Sequence, residues 1–387
     1  MAKHRSPKAR GVKRRPRRSP KTASPQQPRG GNSRPSASAR RREARPRRPA
    51  AEPVPDPAWV IRCAPGLART VHAELRYADV LRHSDRVDFL WQRNHDLLFL
   101  PAPAREPAAA ELRTAEEVDR CIIYGRYKIS HHQLDRLAGH LRATSARWRV
   151  VATAEGDHFN RHDLRRFLAR ELEQRGLRID ERAPHTVFAF CVDAAYYIAV
   201  PEANAETMPG RAERVAEREA SLPPSVAAAM AFLGKPGADD VVLDPVCGSG
   251  TLLAEAAAYA PAAALIGRDI DGGAVAAAHD NLHAHGADLA EGDARELDLE
   301  EPRVSLVLAN LPFGKQFGDV DDNPDLYRAL LTQMLRVAAP HGWRAVLLAA
   351  DPDLVAEAAA ELPLRIVKRV PIRVRGEQAT IVVLNRR

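Results

Sequence analysis

The sequence contains few cysteines and no long apolar segment. Its four cysteines, Cys63, Cys121, Cys191 and Cys247, are far apart and show neither a CxxC pair nor a Cys/His metal spacing. This spacing supports neither a disulfide framework nor a zinc module, so we expect no metal and a reducing, cytoplasmic location. No run of 18 apolar residues occurs, which excludes a transmembrane helix. The N-terminus also lacks the apolar stretch of a secretory signal.

Acidic residues are almost missing from the first 50 positions. Residues 1–50 hold 18 basic residues and one acidic residue, Glu43, a net charge of +17. The other 337 residues hold 40 basic and 49 acidic side chains, a net charge of −9. Residues 1–56 are rich in Pro, Ser, Gly and Arg and poor in large apolar residues, which predicts a disordered basic arm. Its arginine runs are typical of binding to polyanions, and a solubilising tail is the alternative.

Short strands and helices are predicted along the next part of the chain. We expect strands at 59–63, 86–91, 96–100, 148–153, 186–192 and 196–200. Helices are expected at 67–75, 114–124, 132–144 and 161–175, with Thr114 as an N-cap and Glu117 at the third position of its helix. Residues 204–220 are charged without an apolar stripe and are interpreted as a linker.

The pattern changes at Val241, where strands and helices begin to alternate. This alternation predicts an α/β domain with a doubly wound parallel sheet. Segments 366–374 and 379–384 predict a closing hairpin, which would add an antiparallel edge to that sheet.

The strongest local motif is Asp244-Pro245-Val246-Cys247-Gly248-Ser249-Gly250-Thr251, which follows an apolar strand and opens an alanine-rich helix. Glycines let a ligand approach the backbone closely, and a helix N-terminus favours negative charge. No lysine follows, so the motif is not a P-loop. Leu253 occupies the place of the third small residue of an NAD fingerprint. A glycine-rich turn without a ligand is the alternative.

Two acidic residues follow at the ends of later strands. Asp269 ends the second strand and is a candidate acceptor for ribose hydroxyls. Asp293 follows the third strand and is a candidate acceptor for an adenine amino group. Either carboxylate alone is typical of a solvated strand end, but three in succession with Asp244 favour a nucleotide site.

Residues 221–387 resemble a class I S-adenosylmethionine-dependent methyltransferase with a Rossmann-like fold. Asp244 to Thr251 resembles the first motif of that family, Asp269 the second and Asp293 the third. Asn310-Leu311-Pro312-Phe313 resembles the NPPY-type motif used to methylate planar nitrogens, although Leu311 stands where many relatives have proline. With Gly314 and Lys315 it is similar to the tRNA guanosine-N2 methyltransferases that carry a THUMP domain. The resemblance implies S-adenosyl-L-methionine as cofactor, held by Asp244, Pro245, Cys247, Gly248, Gly250, Thr251, Asp269, Ile270, Asp293, Ala294 and Asn310.

The chemistry of an exocyclic amino group explains the NPPY-type motif. Its nitrogen lone pair is delocalised into the ring and must be localised and aimed at the methyl group. The side-chain oxygen of Asn310 and the backbone carbonyl of Leu311 are expected to accept its two N–H groups. Phe313 is expected to stack on the base, worth ~1–3 kcal/mol, and Pro312 to stiffen the loop. A strand-to-loop turn with a buried phenylalanine is the alternative.

The N-terminal half resembles the RNA-binding part of the same family. Residues 57–120 resemble its ferredoxin-like domain and residues 121–203 its THUMP domain, an α+β region. In the family, THUMP binds the 3′ end of the tRNA acceptor, which implies RNA contacts here. The candidates for these contacts are Arg161, Arg165, Arg166, Arg170 and Lys315; a solvated basic helix face is the alternative.

These observations predict a cytoplasmic, monomeric RNA methyltransferase that acts on N2 of a guanosine, in tRNA near the acceptor stem. Ribosomal RNA is the nearest alternative substrate. An NPPY-type motif also serves DNA adenine-N6 and protein glutamine-N5 methyltransferases. A non-catalytic RNA-binding factor is a further alternative, and an assay for S-adenosylmethionine binding separates it from an enzyme.

Overall fold

The computed structural model describes residues 57–92, 94–101, 112–155, 160–192, 194–203, 221–300, 302–312 and 323–387. The predicted basic arm, the predicted linker and the candidate residues Phe313 and Lys315 lie outside these ranges. Within them, no helix is both long enough and apolar enough to cross a bilayer.

The N-terminal half is built on an eight-stranded sheet with the order β2-β3-β1-β4-β8-β7-β5-β6. Its strands are β1 (Pro57–Cys63), β2 (Asp88–Trp91), β3 (Asp96–Pro101), β4 (Glu117–Arg126), β5 (Arg147–Glu155), β6 (Arg178–Ile179), β7 (His185–Val192) and β8 (Ala195–Ala203). Its helices are α1 (Ala68–Tyr77), α2 (His131–Thr144) and α3 (Arg161–Glu173). The strands β5, β6 and β7 are parallel, and the other neighbours are antiparallel.

Local sequence signals explain where two of these helices begin. At α2, Ser130 and Gln133 form a capping box in which each side chain bonds the backbone amide of the other. At α3, the side chain of Asn160 accepts a hydrogen bond from the amide of His162. Shortly after α3, Gly176 has a φ of +81°, a backbone conformation that favours glycine and does not continue a helix.

The predicted helix at 114–124 is wrong, because most of this segment forms strand β4. Val118 of β4 pairs with Ile61 of β1, and Ile123 pairs with Ile198 of β8. The segment is rich in β-branched residues, and its backbone bonds are satisfied by strands on both sides. Thr114 does not cap a helix; its amide and hydroxyl bond the carboxylate of Glu74.

The C-terminal half contains a seven-stranded sheet with the order β11-β10-β9-β12-β13-β15-β14. Its strands are β9 (Val241–Asp244), β10 (Ala264–Asp269), β11 (Asp288–Glu291), β12 (Leu306–Asn310), β13 (Arg344–Ala349), β14 (Leu364–Val374) and β15 (Glu377–Arg386). Its helices are α4 (Pro224–Gly234), α5 (Thr251–Tyr259), α6 (Gly272–Leu282), α7 (Asn323–Arg336) and α8 (Pro352–Ala360). The first five strands in this order are parallel, and β15 and β14 pair antiparallel, so the predicted doubly wound sheet with a closing hairpin is confirmed.

The two halves share one hydrophobic cluster. It contains Val71 and Leu75 of α1, Met230 of α4, and Leu252 and Ala256 of α5. Both halves also belong to one compact unit. The predicted boundary between residues 120 and 121 lies inside β4, so the segments predicted to be ferredoxin-like and THUMP-like share one sheet.

Candidate active site

The candidate site lies at the carboxyl ends of the parallel strands. Strand β9 lies between two partners. It pairs with β10, which follows it in the chain after α5, on one side and with β12 on the other. Open α/β sheets bind ligands at such a switch in strand order. The switch places Asp244, the last residue of β9, and Asn310, the last residue of β12, at the same edge of the sheet.

Two glycines in the loop between β9 and α5 serve different purposes. Gly250 has a φ of +79°, and a Cβ there would lie 2.8 Å from the Cδ1 atom of Leu282 on α6. Gly248 has a φ of +54°, and a Cβ there would meet open space. Gly250 is therefore required for packing, whereas Gly248 leaves room beside the backbone for a ligand.

Asp269 holds this loop against the end of β10. One oxygen of its carboxylate accepts a hydrogen bond from the amide of Gly248 at 2.8 Å, and the other accepts from the amide of Asp271 at 3.0 Å. The amide of Cys247 donates to the carbonyl of Arg268 at 2.8 Å. Asp269 thus shapes the glycine-rich loop. It is also the residue predicted to accept hydrogen bonds from the ribose hydroxyls of the cofactor.

The carboxyl groups of Asp244 and Asp269 lie near each other at the ends of β9 and β10. Asp244 is 1% exposed and accepts a hydrogen bond from the amide of Val246 at 3.1 Å. Burial raises the pKa of Asp244 well above its usual range, and the nearby charge of Asp269 raises this pKa too. A cationic ligand would offset the repulsion between these groups.

The remaining cofactor candidates divide into buried and exposed groups. Pro245 and Cys247 belong to the loop between β9 and α5 and are buried, and burial raises the pKa of the Cys247 thiol. Ala294 is also buried. In contrast, Ile270 follows Asp269 with 63% of its surface exposed, as an apolar side chain at the rim of the site.

Asp293 is engaged by a neighbouring arginine. Both of its carboxylate oxygens accept hydrogen bonds from the guanidinium of Arg295, the shortest at 2.6 Å. These bonds lower the pKa of Asp293. The side chain of Asp293 is 33% exposed, so a ligand amino group would share its carboxylate with Arg295.

The side-chain oxygen of Asn310 is buried and has no hydrogen-bond partner within the described part of the chain. The next residue, Leu311, is held in place, because its amide donates to the carbonyl of Leu348 on β13 at 3.0 Å. Tyr327 on α7 donates from its hydroxyl to the carbonyl of Pro312 at 3.0 Å. The loop after β12 is thus anchored at the two residues that follow the unsatisfied oxygen of Asn310, which is the group predicted to receive an amino N–H.

Three contacts around Ser249 were not predicted from the sequence. The hydroxyls of Ser221 and Ser249 lie 2.9 Å apart, and Asn281 of α6 donates to the carbonyl of Ser249 at 2.9 Å. Arg375 in the turn between β14 and β15 donates to the carbonyl of Ser221 at 2.9 Å. Ser221, Ser249 and Asn281 do not form a recognisable sequence motif. Their support of the glycine-rich loop is therefore visible only in the folded structure.

The arginines predicted to contact RNA differ in exposure. Arg161, Arg166 and Arg170 are exposed on α3. Arg165 is half buried; its Nε donates to the carbonyl of Val150 and its guanidinium pairs with Glu181. Arg166 also pairs with Asp163 on the same helix. Arg170 lies 3.7 Å from Glu171, so the exposed face of α3 presents Arg161, Arg166 and Arg170, two of which are paired with acidic neighbours.

The residues present fit S-adenosylmethionine. The open side of Gly248 offers space, the paired carboxyls of Asp244 and Asp269 suit a cation, and exposed Ile270 suits the face of an adenine. The hydroxyl of Thr251 is, with the amide oxygen of Asn310, a second buried side-chain oxygen at the site without a hydrogen-bond partner among the described residues. Buried polar atoms in folded proteins usually have a partner, so these two oxygens beside the glycine-rich loop and β12 are candidates for contacts with a ligand.

Comparisons with known proteins agree with this geometry. Residues 211–379 match the family described as RMKL-like, methyltransferase domain. The U6 snRNA (guanine-N(2))-methyltransferase THUMPD2 of Bos taurus is 32% identical over 185 residues, covering 46% of this chain and 35% of that protein. The tRNA (guanine(6)-N2)-methyltransferase of Thermus thermophilus is 29% identical over 217 residues, covering 54% of this chain and 64% of that protein. The chain thus spans about a third of the length of the THUMPD2 relatives that it matches.

Solved structures show the same fold over most of the chain. TrmN from Thermus thermophilus superposes with a TM-score of 0.70 at 23% identity, covering 85% of this chain and 99% of that one. SMU.472 complexed with SAH superposes with a TM-score of 0.62 at 16% identity, covering 84% of this chain and 97% of that one. The chain therefore has the class I methyltransferase fold, and its residues 211–379 are similar in sequence to the RMKL-like methyltransferase domain.

Proposed function

We propose that this protein is an S-adenosylmethionine-dependent RNA methyltransferase that modifies N2 of a guanosine, in tRNA near the acceptor stem. The observation that carries the proposal is the buried, unsatisfied side-chain oxygen of Asn310 at the switch in strand order. An acceptor in this state is suited to a donor that arrives with the substrate. An exocyclic amino group is such a donor.

The cofactor is assigned to the loop between β9 and α5 and to the adjacent strand ends. Gly248 leaves space for it, Asp269 and Asp293 supply acceptors, and Ile270 supplies an apolar surface. Bound there, S-adenosylmethionine supplies a methyl group activated by a positively charged sulfur. Asp244 and Asp269 favour that positive charge.

The residues after β12 orient the nucleophile. The side-chain oxygen of Asn310 accepts one N–H of the guanine amino group, and the backbone carbonyl of Leu311 accepts the other. These two bonds hold the nitrogen so that its lone pair points at the methyl group, and positioning of this kind supplies most of the acceleration. Tyr327 and Leu348 keep the loop in place through their bonds to Pro312 and Leu311.

The substrate class follows from the N-terminal half. Its exposed arginines on α3 suit phosphates, and the matched relatives are named for methylation of U6 snRNA and tRNA. We assign the eight-stranded half as a THUMP-like RNA-binding module. The four cysteines are free thiols, which suits the proposed cytoplasmic location, and the proposed active form is a monomer.

Mass spectrometry of RNA nucleosides tests the proposal most directly. A deletion strain is expected to lose N2-methylguanosine from its tRNA fraction, and the purified protein is expected to restore it with S-adenosylmethionine. Loss from the ribosomal RNA fraction instead would assign a different RNA. An unchanged nucleoside profile, together with no transfer to purified RNA, would contradict the proposed activity.

A further inference from the structure

A buried carboxylate joins the N-terminal half to the helix that follows the glycine-rich loop. Glu74 lies on α1 and is 1% exposed. It accepts hydrogen bonds from the amides of Arg113 (3.1 Å) and Thr114 (3.0 Å), and from the hydroxyls of Thr114 and Tyr259. Burying a charge is costly unless it is paired or hydrogen-bonded, so these four donors hold Glu74 in one position.

Helix α5 contributes two groups to this contact. Tyr259 is its last residue, and Glu255 lies one turn earlier, so both face the same side of the helix. Glu255 is buried and accepts a hydrogen bond from Nε of Arg113 at 2.7 Å. Glu74, Arg113, Glu255 and Tyr259 thus form a buried polar network between the halves, which we call the polar latch.

A second contact joins the halves at a separate place. The amide of Arg373 on β14 donates to the carbonyl of Pro65 at 2.9 Å. Gly66 packs so closely that a Cβ there would collide with the carbonyl oxygen of Pro371. Contacts on two different elements restrict how far the halves can pivot against each other.

Helices α1, α4 and α5 already pack together through the shared apolar cluster. Apolar contacts tolerate small sliding movements because they have little directionality. A buried polar network, in contrast, is satisfied in few arrangements, and misalignment leaves buried donors or acceptors unpaired. The polar latch therefore restricts the relative orientation of two halves that hydrophobic packing already holds together.

We propose that the polar latch determines which nucleotide of a bound RNA reaches Asn310. This inference rests on the proposed function and deepens it. The groups assigned to hold RNA belong to the N-terminal half, whereas Asn310 belongs to the C-terminal sheet. The orientation of the halves therefore sets the distance between the part of the RNA that the N-terminal half binds and the base that is methylated. Misplacing reacting groups by ~1 Å is enough to lower a rate about 100-fold.

The test uses the full chain with Tyr259→Phe and Glu255→Gln, alone and combined. Phenylalanine at 259 keeps the ring that packs against Phe232 and removes only the hydroxyl. The matched control is Tyr196→Phe, which removes a buried hydroxyl that bonds Lys128 within the N-terminal half. The probe is an unmodified tRNA transcript that the wild-type protein methylates. The readouts are the methylated position by mass spectrometry, kcat and KM for RNA, and the Kd for S-adenosylmethionine.

The double variant is expected to place methyl groups on neighbouring guanosines, or to lose about tenfold in kcat/KM for RNA, with the cofactor Kd changed less than about twofold. The control is expected to keep the wild-type position. Wild-type position and kcat/KM in the double variant would overturn the proposal, and so would a loss explained by a weakened cofactor Kd. A wild-type protein that methylates no RNA would instead remove the proposed function itself. Tyr259→Phe alone, the mildest change, provides the readout if the double variant does not fold.

Discussion

The hydroxyl of Tyr327 donates a hydrogen bond to the carbonyl oxygen of Pro312 at 3.0 Å. Tyr327 is almost fully buried on α7, and burial raises its pKa to about 12. Its phenol therefore stays protonated, and remains a donor, at every pH where the protein would be assayed. Since Pro312 follows Asn310 and Leu311, this bond restrains the loop that is proposed to orient the substrate nitrogen.

Removing that hydroxyl tests the restraint. We expect Tyr327→Phe to lower kcat for RNA methylation about tenfold while the Kd for S-adenosylmethionine stays near the wild-type value. The loss of one buried hydrogen bond costs about 1 kcal/mol of folding free energy, which urea denaturation measures. Tyr196→Phe loses a comparable bond and is expected to keep kcat. Equal kcat in both variants would show that the loop needs no anchor at Pro312.

The unsatisfied oxygen of Asn310 predicts that a substitution there lowers kcat but leaves cofactor binding unchanged. Asn310→Ala is expected to lower kcat by about 100-fold or more, because the amino group loses the acceptor that aims it. Cofactor binding is expected to persist in calorimetry. Asn281→Ala should show the opposite pattern, since Asn281 supports the carbonyl of Ser249 in the glycine-rich loop. Turnover near the wild-type rate in Asn310→Ala would refute the role assigned to this side chain.

The two loop glycines predict different defects. Gly250→Ala brings its methyl group to 2.8 Å from Leu282 at a φ of +79°, so we expect a lower free energy of unfolding, by about 1–3 kcal/mol. Gly248→Ala adds a methyl group to open space at a φ of +54°. It is expected to retain more stability than Gly250→Ala but to raise the cofactor Kd. Thermal unfolding and calorimetry on both variants measure this contrast, and equal cofactor Kd values for Gly248→Ala and wild type would contradict it.

The basic arm predicts a salt-dependent tether. Residues 1–50 carry a net charge of +17 and residues 51–387 a net charge of −9. Deleting residues 1–50 is expected to weaken RNA binding and to flatten the dependence of log Kd on log salt, because fewer counterions are released. The methylated position should not change. An unchanged salt dependence after deletion would leave the arm as a solubilising tail.

Much of the C-terminal half could be predicted because its signals are local. The apolar strand before Asp244, the glycines after it and the Asn310 loop all lie within short stretches, and the fold of parallel strands brings their ends together. The contacts of Ser249 with Ser221 and Asn281 could not be predicted, since they join residues 28 and 32 positions apart. Asp293 is predicted as an acceptor for an adenine amino group, and the bonds of both its oxygens to Arg295 could not be predicted from the sequence.

The error at residues 114–124 shows where local signals fail. Thr114 followed by Glu117 is typical of a capping box, yet the segment is a strand because β1 and β8 lie on either side of it. Local propensity is worth only tenths of a kcal/mol per residue, and pairing on two sides outweighs it.

The sequence by itself determined the kind of chemistry: a glycine-rich loop, acids at successive strand ends and an NPPY-type loop are local patterns with direct chemical meaning. Only the tertiary structure decided how the two halves are joined. Glu74 meets Tyr259 across 185 positions in the chain, and no periodicity or spacing encodes such a pair. Long-range pairing depends on the packing of whole elements, so the polar latch becomes visible only once α1 and α5 are in contact.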